Sequence, residues 1–140
     1  MNERNIGVGK KKSSLRLMGR ITAPVIQKPW GFMQTFRTEK NWWVKTITIL
    51  PGQRTSLQSH TKRDELWIVV EGEIYGEVGN KAFRAVPFRA IPVKKREVHR
   101  ISNRGKGNLI LVEVACGPAF ENDIMRYEDD YGRTKKVTGK

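Results

Sequence analysis

The feature that most constrains this chain is its rhythm: short runs rich in Val, Ile, Thr and Trp, each closed by a turn signal, at intervals of roughly eight to twelve residues. Residues 42–50 (WWVKTITIL) run into Pro51-Gly52, residues 66–70 (LWIVV) into Glu71-Gly72, and residues 73–78 into Gly79-Asn80. Runs at 83–86, 90–93, 98–102 and 109–115 (LILVEVA) continue the series. No segment carries a convincing amphipathic-helix period, and there is no internal repeat. The pattern predicts an all-β sandwich or barrel. With 140 residues the chain holds one domain.

Charge divides the chain. The net charge is +13, but residues 1–20 hold six basic residues and one acidic, and residues 131–140 hold four basic and none acidic. Residues 21–130 hold 17 basic against 13 acidic. The expected organisation is a basic tail over 1–20, a folded domain over 21–133, and a second basic tail over 134–140. Two tails could serve an anionic partner with steep salt dependence, yet a near-balanced core offers no basic stripe, so nucleic acid is not the expected partner. Cys116 is the only cysteine, which excludes an internal disulfide and a cysteine-rich zinc module. No apolar run approaches the roughly 20 residues of a membrane helix, and the start lacks a secretory apolar stretch. A cytoplasmic protein that does not enter a membrane is expected.

Around 65–70, Glu65, Trp67 and Val69 share one strand face and Leu66, Ile68 and Val70 the other. Both faces are largely apolar, so the strand is expected to be covered on both sides, the outer one by a second copy of the chain in a homodimer. Only two histidines are available to carry chemistry. Gln58 and His60, two apart, point to the same face of a strand, and the polar stretch 61–64 has the character of a turn that would fold Glu65 back beside His60. An amide oxygen, an imidazole nitrogen and a carboxylate make a mixed N/O site suited to Zn, Mn, Fe, Ni or Co. On spacing alone, a solvated polar hairpin is an equal alternative.

The spacing Gly52-x5-Gln58-x-His60-x4-Glu65-x6-Gly72 resembles the first cupin motif, G-x5-H-x-H-x4-E-x6-G, with Gln58 in place of the first histidine. A closer resemblance is to the cupin domain of type II mannose-6-phosphate isomerases, also found at the C-terminus of bifunctional mannose-1-phosphate guanylyltransferases. It rests on Lys28-Pro29-Trp30-Gly31, on the run from Pro51-Gly52 through Ser56-Leu57-Gln58-Ser59-His60 to Glu65-Leu66-Trp67-Ile68-Val69-Val70, and on Glu128-Asp129-Asp130-Tyr131-Gly132-Arg133. These cover about residues 25–133.

The resemblance implies a double-stranded β-helix, or jelly-roll barrel, around a pocket. It implies a divalent metal held by Gln58, His60, Glu65 and a histidine of the second motif, for which His99 is the remaining candidate. Arg63 falls at a position that the resemblance makes catalytic, and Lys45 at an inward basic position. On its strand Lys45 shares a face with Trp43 and Ile47; an outward edge-strand lysine is an equal alternative. Lys62 stands where the family has a second histidine, and Lys94 and Arg96 where it has Pro and Gly. Lys94 and Arg96 are either a solvated charge run or a cationic rim that meets a phosphate. An arginine at a former glycine position could alter that loop's backbone, since glycine tolerates φ above zero and arginine does not readily.

Trp30, Trp42, Trp43 and Trp67 are expected to serve mostly the core, and the Glu128-Asp129-Asp130 run to be a surface or subunit contact. The implied reaction is the interconversion of mannose 6-phosphate and fructose 6-phosphate, supplying GDP-mannose and polysaccharide synthesis, with a phosphorylated sugar as partner. The alternative is a cupin that binds a sugar phosphate or nucleotide sugar without turnover. Guanylyltransferase activity is not expected of this chain, whose first 25 residues cannot house a nucleotidyl-transferring domain.

Overall fold

The computed structural model describes residues 23–118 and 122–134, and among them every regular element is a strand. The strands are β1 (Val25–Lys28), β2 (Gly31–Glu39), β3 (Trp42–Ile49), β4 (Leu57–Ser59), β5 (Asp64–Glu71), β6 (Ile74–Val78), β7 (Lys81–Ala85), β8 (Ala90–Val93), β9 (His99–Ser102), β10 (Leu109–Cys116) and β11 (Met125–Glu128). They form a six-stranded sheet in the order β1-β2-β3-β10-β5-β8 and a five-stranded sheet in the order β11-β4-β9-β6-β7, all pairs antiparallel. The basic segments expected at 1–20 and 134–140 lie, apart from Thr134, outside the described residues.

Seven strands follow the rhythm read in the sequence. β1, β2, β4 and β11 do not announce themselves. β2 (GFMQTFRTE) alternates only weakly and ends in polar residues, and the other three have three or four residues each. Tertiary pairing makes them strands: β2 lies along the whole of β3, and β4 is held between β11 and β9.

The inward positions of the strands change character along their length, and that gradient places the site. On β3 they read Trp43, Lys45, Ile47, Ile49; on the neighbouring β10 they read Ala115, Glu113, Leu111, Leu109, register for register. β5 contributes Glu65, Trp67 and Val69 opposite Ala115, Glu113 and Leu111. One end of the barrel is therefore apolar, a cluster of Trp30, Met33, Ile47, Ile49, Val69, Ile74, Leu109 and Leu111 with Trp67 at its border. Each such aliphatic side chain taken from water is worth about 1.5–3 kcal/mol. At the other end the same strand faces carry Lys45, Glu65 and Glu113, and β9 of the second sheet adds His99, all buried. Buried charges destabilise a fold unless they pair. The apolar end is what holds the polar end in place.

Of the tryptophans, Trp30, Trp43 and Trp67 are buried and Trp42 is exposed, as expected for a mainly structural set. The outer face of β5 differs from expectation within one chain: Leu66 and Val70 are open to solvent.

Candidate metal centre

His60 follows β4 directly, Glu65 is the second residue of β5, and His99 opens β9, opposite Gln58 of β4. The 60–64 loop brings the first two together, and the sheet pairing supplies the third. His60 Nε2 lies 3.2 Å from Glu65 Oε1, His99 Nε2 lies 3.8 Å from Glu65 Oε2, and the two imidazole centroids are 5.0 Å apart. One donor atom from each of the three residues falls within 4.8 Å of the others, and all three side chains are buried.

The arrangement fits a divalent cation by the chemistry of its donors. Each imidazole turns its other nitrogen to a backbone carbonyl: His60 Nδ1 to Asp123 O at 2.5 Å and His99 Nδ1 to Glu97 O at 2.8 Å. With Nδ1–H donating, both Nε2 lone pairs point to the same place, which is how ligating histidines are oriented. His99 Nε2 is buried with no hydrogen-bond partner among the described residues. An orphaned buried acceptor costs about 1–3 kcal/mol, and a cation there removes the cost. Burial pushes the His60 pKa down to about 4 and lowers that of His99, so both are neutral near pH 7, as ligands must be. Burial works against the charge of Glu65, but the two imidazoles and Arg63 outweigh it and hold its carboxyl below the usual range. Gln58 is placed beside the set but turns its amide nitrogen to it, Nε2 lying 3.4 Å from His60 Nε2 while Ser56 Oγ donates to Oε1 at 2.6 Å. As a ligand it requires the flipped amide.

Arg63 is buried against these groups. Its Nε donates to Glu65 Oε1 at 2.8 Å, its Nη2 lies 3.0 Å from His60 Nε2, its Nη1 donates to Asp123 O at 3.2 Å, and its guanidinium lies 4.7 Å from the centre of the Trp43 ring. Lys45 is inward and buried, its Nζ 3.6 Å from the centroid of Trp43, which decides between the two readings of its strand. Lys62, Lys94 and Arg96 are exposed. The 94–97 turn nonetheless touches the centre, since Arg96 N donates to His60 O at 2.7 Å. Arg96 holds φ at 66°, a left-handed conformation that glycine adopts readily and arginine rarely.

Two residues escaped the sequence reading. Glu113 is a buried acid paired in register with Lys45 and Trp67, and it accepts a hydrogen bond from Trp43 Nε1 at 2.8 Å. Burial, reinforced by Glu65, raises its pKa to about 7 against the opposing pull of Lys45 and Trp43. An acid at an inward position of LILVEVA was the available signal. Asp123 had none: it lies 61 and 62 residues along the chain from the backbone it organises, accepting from Thr61 N, Thr61 Oγ1 and Lys62 N at 2.8–3.0 Å. The Glu128-Asp129-Asp130 carboxylates diverge to Arg100, Arg133 and Arg54, so they converge on no second centre.

A two-sheet β-barrel with a buried His/Glu cluster at one end is a cupin, and solved structures agree on the fold. The capsular polysaccharide assembling protein CapF of Staphylococcus aureus aligns with a TM-score of 0.66 at 16% identity, over 76% of this chain and 34% of that one. An RmlC-like cupin of Shewanella frigidimarina aligns with a TM-score of 0.64 at 18% identity, over 71% and 87%. Within the cupins, this chain belongs to the mannose-6-phosphate isomerase C-terminal family, whose model matches residues 21–129. It is 39% identical over 110 residues to the alginate biosynthesis protein AlgA of Pseudomonas aeruginosa, covering 78% of this chain and 23% of that protein. It is 33% identical over 109 residues to the mannose-1-phosphate guanylyltransferase ManC of Salmonella typhimurium, covering 77% and 23%. The chain thus spans about a quarter of the length of these relatives.

Proposed function

We propose that this chain is a metal-dependent, cytoplasmic sugar-phosphate isomerase that interconverts mannose 6-phosphate and fructose 6-phosphate for GDP-mannose and polysaccharide precursor synthesis. The observation that carries the reading is the convergence of two neutral, oriented imidazoles and an ionised carboxylate on one buried point. Family membership and relatives named for alginate biosynthesis and mannose 1-phosphate chemistry support the substrate class.

His60, Glu65 and His99, with Gln58 after an amide flip, would hold the metal, which when bound polarises the carbonyl and adjacent hydroxyl of an open-chain sugar. This chain's own residues do the rest. An aldose–ketose exchange removes a proton from C2, passes through a cis-enediol and returns a proton to C1. Glu65 and Lys45 are the candidate groups for that transfer, because both are buried on the wall of the site. Arg63 fixes the Glu65 carboxylate through Nε and sets a cation where enediolate charge develops. Lys94 and Arg96 form an exposed cationic rim that draws a phosphorylated sugar inward.

The test is turnover of mannose 6-phosphate by wild type, Arg63→Lys and Glu65→Gln. Turnover in wild type that falls by about two orders of magnitude or more in Glu65→Gln supports the reading. Saturable mannose 6-phosphate binding without turnover moves the chain to a non-catalytic binding role. The observation favouring that second reading is the substitution of the family's histidine by Lys62. We also infer that the chain pairs with a second copy through the outer face of β5 and β10, where Leu66 and Val70 are exposed and Ile68, Val112 and Val114 half-buried.

A further inference from the structure

Two buried side-chain atoms in the described chain have no hydrogen-bond partner: His99 Nε2 and Arg126 Nε. The first belongs to the metal centre. The second lies on the same sheet face. In an antiparallel pair, directly opposed residues point to the same side. Arg126 of β11 opposes Gln58 of β4, and Gln58 opposes His99 of β9, so the three form one row across the sheet. The Gln58 side chain meets His60, which fixes that face as the one lining the centre.

Neighbouring arginines are committed elsewhere. Arg133 takes both oxygens of Asp129, through Nη2 at 2.7 Å and Nε at 3.0 Å, with its backbone N adding a third bond at 2.6 Å. Arg54 is bidentate to Asp130, and Arg100 binds Glu128 and Thr55 O. Arg89, Arg96 and Arg104 are exposed, so water serves them. The Arg126 side chain is half-buried and forms no hydrogen bond or ion pair with a described residue, although Asp129 lies near enough to act on it through space. Burial and the neighbouring Arg133 disfavour its charge. A guanidinium does not lose its proton near neutral pH, so the remedy is an anion.

From this geometry we propose that Arg126 is the anion-binding residue of the site and takes the phosphate of the sugar phosphate. Strands are spaced by roughly 4.8 Å, which sets the Arg126 backbone about 10 Å from that of His99. That is comparable to the span of an open-chain hexose from its carbonyl end to a phosphate on C6. A sugar phosphate laid along the row has its reacting carbons at the centre and its phosphate at Arg126, with the guanidinium offering paired donors to two phosphate oxygens. The exposed Lys94 and Arg96 then steer the ligand rather than hold it.

That the anion is a sugar's phosphate rests on the isomerase reading; the anion site itself does not. The experiment is calorimetric titration of the metal-loaded full chain with inorganic phosphate, mannose 6-phosphate and mannose, using wild type, Arg126→Gln and Arg126→Lys, with Arg104→Gln as a surface control. Melting temperatures check that each variant is folded. Arg126→Gln is expected to weaken both phosphate ligands by on the order of tenfold or more and to leave mannose unchanged, with Arg126→Lys between it and wild type. Wild-type affinity for phosphate in Arg126→Gln, an equal loss for mannose, or no phosphate binding by wild type would overturn the proposal. Phosphate binding lost in Arg126→Gln, in a protein that never turns over mannose 6-phosphate, leaves the anion site standing and removes the isomerase reading.

Discussion

At the scale of single residues, the polar end of the barrel is an arrangement of opposed charges. Arg63 is tied to Glu65 and Asp123, Lys45 faces Trp43, and Glu113 sits beside Lys45 with a pKa near 7. An acid whose folded pKa is raised binds its proton more tightly folded than unfolded, so it favours the fold below its unfolded pKa. That contribution is lost as pH climbs from about 4.5 to about 7. Glu113→Gln removes the dependence. Its stability relative to wild type is expected to rise between pH 5 and pH 8 by on the order of 3 kcal/mol, read from denaturant titrations at the two pH values. A difference that does not change with pH would mean that Glu113 is ionised throughout. The histidines predict a second pH effect: with His60 shifted to about 4, protons compete poorly for its nitrogen, and bound metal should be retained until the pH falls well below 6.

At the scale of elements, the sequence carried the strands whose inward faces are apolar and hid those made by their neighbours. Runs such as WWVKTITIL and LILVEVA state their own burial; β2 and β11 do so only when aligned with β3 and β4. The centre divides in the same way. His60 and Glu65 could be paired from their spacing because one turn joins them, whereas His99 arrives through the β4–β9 pairing and was accessible only by resemblance. Asp123, which bonds the 61–62 backbone from a distant segment, left no local mark. The loop is also braced by Gly117, at φ 130°, where an added Cβ would stand 2.2 Å from Lys62 O and 2.9 Å from Arg63 Cα. Gly117→Ala is expected to destabilise the fold by about 2 kcal/mol or more and to weaken metal binding with it. Arg96→Gly runs the other way: it relieves a left-handed arginine and should stabilise the protein by up to about 1 kcal/mol in thermal unfolding.

At the scale of the whole molecule, the barrel buries its apolar end on one side of the large sheet and leaves apolar side chains on the other. A second copy covering β5 and β10, as proposed above, would account for both faces of the LWIVV strand. Sedimentation equilibrium at micromolar concentration is expected to give a dimer for wild type and a monomer for Leu66→Lys/Val70→Lys; a wild-type monomer refutes the pairing. Of the net charge of +13, +9 falls in residues 1–20 and 131–140 of the sequence, and the electrostatics of the site come from its buried groups.

The most direct test is the metal content of the purified, reconstituted protein, measured by mass spectrometry for wild type, His60→Ala and His99→Ala. The account predicts close to one divalent ion per wild-type chain and a small fraction of that in either variant, with all three folded. Wild type without metal after reconstitution, or variants that keep it, would contradict the assignment of His60, Glu65 and His99 as a metal centre.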